Sequence, residues 1–137
     1  MTSRLNPYLS FPGTARAALD FYAQVLGGTP DINTYGEFGQ DAGPDSDKIM
    51  HGQLETDRGF TLMVSDFPPG MEPVVGNTFA VSLSGDDADD LRGYWEQLSA
   101  AGTVQMPLEK QMWGDEFGMC VDQFGVQWMV NISQPAT

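Results

Sequence analysis

The sequence predicts an α+β fold of two similar halves, each a strand and a helix followed by about three strands, forming a curved mixed sheet around a cleft. Three observations predict it. The short aromatic strand "PYLSF" runs straight into a helical segment, and later "TFAVSLSG" does the same. The aromatic pair Phe21-Tyr22 of the first helix has its counterpart in Tyr94-Trp95 of the second, 73 positions on (94 minus 21). Behind each helix come short segments that alternate apolar and polar residues, as strands covered on one face do.

Taken in order, "PYLSF" sets Tyr8 and Ser10 against Leu9 and Phe11. In "PGTARAALDFYAQVLGG", Thr14 is suited to the N-cap, Ala18, Tyr22, Val25 and Leu26 recur at helical spacing, and Gly27-Gly28 supplies the stop. A Gly/Asp/Pro-rich loop around "GEFGQDAGPDSD" precedes "KIMHGQLE" and "GFTLMVS", two strands joined by the hairpin signal "TDRG". After the loop "DFPPGMEPVVGN", Phe79, Val81 and Leu83 oppose Thr78, Ala80 and Ser82. Asp86 or Asp87 then caps a helix whose apolar face is Leu91, Tyr94, Trp95 and Leu98 and which Gly102 ends. "TVQMP", "FGMCVD" and "DQFGVQWMVNI" complete the second half. The predicted organisation is a single domain over 1–137, with module one at about 1–68 and module two at about 77–134.

Each sheet has one face covered by its helix and one left over, and a cleft between curved sheets is a usual place for a small-molecule site. In the last strand, Val126, Trp128, Val130 and Ile132 share the core face, while Gln127, Met129 and Asn131 share the other. That second face is too polar for a core and too apolar for an ordinary wet surface.

Composition narrows the partners. Six Lys+Arg against 19 Asp+Glu give a formal charge of -13, which disfavours nucleic acid and anionic membrane and suits a solvated acidic surface or a cationic ligand. One cysteine, Cys120 in the apolar run "GMCVD", excludes an intramolecular disulfide and a Cys-based metal cluster. No N-terminal signal pattern and no apolar run of bilayer-spanning length occur, so a cytoplasmic location is expected.

The segments "NPYLSFPGTARAALDFYAQVLGG", "DKIMHGQL" and "MWGDEFGMCVDQFGVQWMVN", with the duplicated plan, resemble the PhnB-like branch of the vicinal-oxygen-chelate superfamily, the glyoxalase and bleomycin-resistance fold. The resemblance covers nearly the whole chain and implies paired βαβββ modules and a homodimer. The methyltransferase label often attached to this branch gains no support, because no Gly-rich turn here joins a parallel strand to a nucleotide-cradling helix. The superfamily's enzymes hold a divalent metal with His, Glu or Gln at four cleft-facing positions. Placed by strand and parity, those positions are Asn6, Met63, Thr78 and Met129, and two thioethers, a hydroxyl and an amide are poor ligands for Zn, Ni, Mg or Fe(II). No metal site and no cofactor is therefore expected.

His51, the one histidine, shares strand parity with Gln53 and Glu55 and is the weak catalytic candidate, as a general base; the competing reading is a structural, hydrogen-bonded imidazole. The expected cleft lining is Asn6, Tyr8 and Ser10, then His51 and Gln53, then Thr61, Met63 and Ser65, and in the second module Thr78, Ser82, Gln127, Met129 and Asn131. Trp113 and Phe117 in "QMWGDEFG" either roof the cleft or pack at a dimer interface. Glu37 and Asp115-Glu116 are loop carboxylates, read as solvated. The leading functional expectation is a metal-free small-molecule-binding protein. The alternatives are a metal-dependent glyoxalase or dioxygenase-type enzyme with unusual ligands, a drug-sequestering protein of bleomycin-resistance type, and a purely structural protein.

Overall fold

A computed structural model describes residues 3–36, 47–68, 71, 72, 74 and 76–134. The chain divides into two compact units, Met1–Val75 and Gly76–Thr137. In the first, β1 (Tyr8–Phe11) leads to α1 (Ala15–Leu26), then β2 (Thr29–Thr34), β3 (Ile49–Glu55) and β4 (Thr61–Asp66). In the second, β5 (Val81–Gly85) leads to α2 (Ala88–Ser99), then β6 (Thr103–Lys110), β7 (Glu116–Val121) and β8 (Gln127–Ile132). The sheets have equivalent orders, β1-β4-β3-β2 and β5-β8-β7-β6, each with one parallel pair (β1 with β4, β5 with β8) and antiparallel pairs elsewhere.

The helix-facing side of each sheet is the core. In unit one, Leu54, Leu62 and Val64 are buried together with Ala18, Leu19, Tyr22 and Val25 of α1. Unit two buries Leu83, Cys120, Trp128, Val130 and Ile132 together with Leu91, Tyr94, Trp95 and Leu98 of α2. One inner strand of each sheet, β3 and β7, makes room for its helix with a glycine. A Cβ on Gly52 would come within 2.9 Å of Val64 Cγ2 and 3.0 Å of Leu19 Cδ2; one on Gly118, 66 positions later (118 minus 52), would come within 2.9 Å of Trp95 Cη2. Gly28 and Gly102, just beyond the two helices, press against the carbonyls of Glu55 and Val121, where a side chain has no space.

Two buried carboxylates break the apolar pattern of the core. Asp66 is 2 % exposed, and its Oδ1 accepts from the Ala15 amide (2.9 Å) while Oδ2 accepts from Ile49 N–H (2.8 Å). A side chain from β4 thus satisfies an orphan donor at the start of α1, where the N-cap residue Thr14 makes no capping bond. The Tyr35 hydroxyl donates to the Asp66 carbonyl (3.4 Å); burial, and next the Asp66 charge, push that phenol above its ordinary pKa. In unit two, Asp122 Oδ1 accepts from the amides of Phe124 (2.8 Å) and Val126 (3.1 Å), and Oδ2 accepts from the Trp128 indole (2.9 Å).

Three hairpin turns share one construction. Thr56, Gln111 and Asp122 each donate their amide to the carbonyl four residues on, and each accepts at its own carbonyl from a glycine three residues on. Those glycines, Gly59, Gly114 and Gly125, have φ of 87°, 103° and 90°, the left-handed conformation that closes such a loop with little strain only in glycine.

Several boundaries differ from the sequence-based expectation. The six-residue β2, "TPDINT", completes the expected βαβββ order of the first unit, but its residues are not assigned from the sequence, because Pro, Asp and Asn are poor strand formers and hide its alternation. β5 begins at Val81 rather than Thr78, and Phe79 is 87 % exposed. α2 ends at Ser99, three residues before Gly102.

Candidate functional site

Each sheet presents a second face, turned away from its helix, and strand register fixes which side chains share it. In unit one, Tyr8 pairs with Met63 and Ser10 with Ser65 across β1 and β4. Met63 and Thr61 pair with Gln53 and Glu55 of β3, and Gln53 and His51 pair with Asp31 and Asn33 of β2. The expected lining residues Tyr8, Ser10, His51, Gln53, Thr61, Met63 and Ser65 therefore lie on one face. Asn6 is half-buried just before β1. Asp31 and Asn33, absent from the expected lining, join the face through β2.

Polar side chains on this face form a chain. Tyr8 Oη lies 3.5 Å from His51 Nδ1, with ring centroids 5.9 Å apart. His51 Nε2 lies 3.5 Å from Gln53 Oε1, Gln53 Nε2 donates to Glu55 Oε1 (3.0 Å), and the Arg4 guanidinium reaches Glu55 (3.3 Å) and the Thr61 hydroxyl. The Arg4–Glu55 pair is exposed and contributes little stability; its effect is to orient the carboxylate.

In unit two, Ser82 pairs with Met129 and Ser84 with Asn131, while Met119 and Phe117 of β7 pair with Met129 and Asn131. Gln127, Met129 and Asn131 thus share a face with Phe117 and Met119, opposite the buried Trp128, Val130 and Ile132. Trp113 sits on the β6–β7 turn, 59 % exposed, with its ring 6.1 Å from Phe117 and edge-on to it at 62°. This pair marks one end of the face. Thr78 lies before β5 and is exposed.

The loop carboxylates have separate fates. Asp115 accepts from Asn131 Nδ2 (3.1 Å) and from the Gln134 amide (3.2 Å), so it anchors the end of β8 instead of standing in solvent. Glu116 is the first residue of β7 and pairs with Arg92 of α2, on the helix side. Glu37 lies outside the described residues.

Metal chemistry is a poor match to these donors. Met63 and Met129 occupy the same position in the two units, 66 residues apart (129 minus 63), and their neighbours in register are the Tyr8 phenol, the Gln53 amide, the Ser82 hydroxyl and the Met119 thioether. Thioethers neither carry charge nor donate strongly to hard or borderline divalent ions. Among the described residues no three His, Cys, Asp or Glu side chains converge.

Cys120 is fully buried on the helix side, and its thiol is pushed up to about 11, chiefly by burial and then by the nearby Asp122 charge. The folded protein is expected to resist iodoacetamide at pH 8, while the urea-unfolded chain reacts. Because the folded state holds the thiol proton more tightly, the associated stability is complete below the ordinary value of 9.0 and disappears as pH rises toward about 11. The Cys120→Ala variant should lose that part of the alkaline slope in denaturant titrations.

No helix among the described residues is long and apolar enough to cross a membrane. Comparison with known proteins gives a consistent picture. The chain is 28% identical over 140 residues to Protein YjdN of Escherichia coli K12, covering 93% of this chain and 94% of that one. It matches the crystal structure of PA1353 from Pseudomonas aeruginosa with a TM-score of 0.88 and 37% identity, over 98% of this chain and 100% of the other. A PhnB protein from Bacillus cereus shares the fold at a TM-score of 0.78 and 19% identity, over 96% and 100% of the two chains. Residues 4–130 match the family description "Glyoxalase/Bleomycin resistance protein/Dioxygenase superfamily", and the chain belongs to that superfamily.

Proposed function

We propose that the protein binds a small organic molecule on the open face of a sheet, the face turned away from the helix, and does so without a metal ion. The observation that carries this reading is the repeated methionine. Met63 and Met129 stand at equivalent positions, each half-buried; Met63 lies between Tyr8 and Gln53 in register, and Met129 between Ser82 and Met119. Such a surface suits a flat or irregular ligand with some apolar area and several polar edges, because thioethers adapt their shape while hydroxyls and amides fix orientation. The reading includes a homodimer and a cytoplasmic location, both resting on the family resemblance and on composition.

Elemental analysis of protein purified without chelators tests the metal-free part. Divalent metals are expected well below one equivalent per chain, and added Zn, Ni, Mg or Fe(II) should leave the melting temperature unchanged. One tightly held ion per chain would overturn the reading. A second reading, sequestration of a cationic drug, is favoured by the net charge of -13 and predicts binding that weakens with added salt.

A further inference from the structure

We propose that Tyr8 and His51 form a proton-accepting pair on the open face of the first sheet, oriented by Gln53 and Glu55, for a ligand with an acidic hydroxyl group, such as a phenol or an enol. This rests on the small-molecule reading of the same face and adds to it a ligand class and a direction of proton movement.

The direction follows from donor and acceptor chemistry. The Glu55 carboxylate, paired with Arg4, can only accept, so the Gln53 side chain must turn its NH2 toward it, as the 3.0 Å contact shows. That turns the Gln53 carbonyl oxygen toward His51 Nε2, 3.5 Å away, where only an N–H makes a favourable contact. Neutral His51 therefore carries its proton on Nε2, leaving the Nδ1 lone pair facing the Tyr8 hydroxyl at 3.5 Å. Tyr8 is 51 % exposed, so its oxygen is the end of the chain that a ligand reaches first. Contacts of 3.5 Å in a free site can tighten when ligand arrives.

The proton balance is closed. A ligand O–H gives its proton to Tyr8 Oη as the Tyr8 proton passes to His51 Nδ1, leaving a ligand oxyanion that accepts from the Tyr8 hydroxyl. His51 becomes an imidazolium whose Nε2–H stays on Gln53. Nothing is oxidised or reduced, and no further reactant is required. Other groups that register places around His51 are Asn33 and Asp31 of β2, Glu55 of its own strand, and Met63 and Ser65 of β4. Met63, paired with both Tyr8 and Gln53, offers the thioether against which an aromatic ring can lie.

The single histidine makes the test direct. Untagged protein labelled with 15N is expected to show one imidazole with Nε2 protonated and Nδ1 free in its neutral form; the opposite tautomer would overturn the proposal without any ligand. Added 4-nitrophenol, at a pH where the free probe is mostly protonated, should shift the Met63 methyl resonance, convert His51 to imidazolium and raise the nitrophenolate absorbance. Tyr8→Phe should weaken that binding by about tenfold or more, the loss of one charge-assisted hydrogen bond. A shifted Met63 with neutral His51 would overturn proton acceptance while leaving the site itself standing. An unmoved Met63 at millimolar probe would overturn the acidic-hydroxyl class, whereas the metal-free reading fails separately, on elemental analysis.

Discussion

Asp66→Ala is expected to destabilise the first unit by about 3 to 5 kcal/mol, among the largest effects of any single substitution in this chain. The carboxylate lies in the core and accepts from two backbone amides, Ala15 N–H and Ile49 N–H, that belong to different elements. Truncation leaves both donors buried and unmatched, which costs more than the loss of two exposed bonds. Asp66→Asn separates charge from shape: one amide oxygen still accepts, but the NH2 group now faces an N–H donor, so about half of the loss should remain. Denaturant midpoints followed by far-UV circular dichroism check both variants. An Asn variant as stable as the parent would show that the second bond contributes little.

The second large effect is expected at Asp122. Its two oxygens hold the turn amides of Phe124 and Val126 and the Trp128 indole, so Asp122→Ala should cost about 2 to 4 kcal/mol. A double-mutant cycle apportions the loss. In a Trp128→Phe background the indole bond is already gone, and the further cost of Asp122→Ala should shrink to that of the turn alone, about 1 to 2 kcal/mol. Equal costs in both backgrounds would show that the indole bond adds nothing to stability.

These two aspartates also show where sequence reading ends. The repeat, both helices and seven of the eight strands are legible because apolar residues recur at the period of each element, and the hairpin glycines stand where the turn geometry requires them. Asp66 was visible only as a charge at the end of the core-facing series Leu62, Val64, Asp66; periodicity treats it as a strand terminus, whereas its two partners are 51 and 17 positions away. Asp31 and Asn33 were missed for the opposite reason. Their strand is made of residues with low strand propensity, and it is held by pairing with β3.

For the open faces, alternation puts His51 with Gln53 on one strand and Gln127 with Met129 and Asn131 on another, and turning each strand's apolar series toward its helix brings Tyr8 and Met63 to the same side as His51. What alternation cannot supply is the order of contacts across strands. The link from Tyr8 through His51 and Gln53 to Glu55 depends on side-chain rotamers, and the pairing of Asp115 with Asn131 depends on a turn folding back. The sequence therefore makes Asp115 and Glu116 look like solvated loop carboxylates, whereas each has a fixed partner.

The distribution of rare side chains gives each unit its own built-in reporter. Trp95, Trp113 and Trp128 all belong to Gly76–Thr137, as does Cys120, whereas His51 belongs to Met1–Val75. Indole emission and thiol labelling thus follow the second unit alone, and the imidazole resonance follows the first. Their melting curves, recorded on one unmodified sample, will show whether the duplicated halves unfold in concert or one after the other.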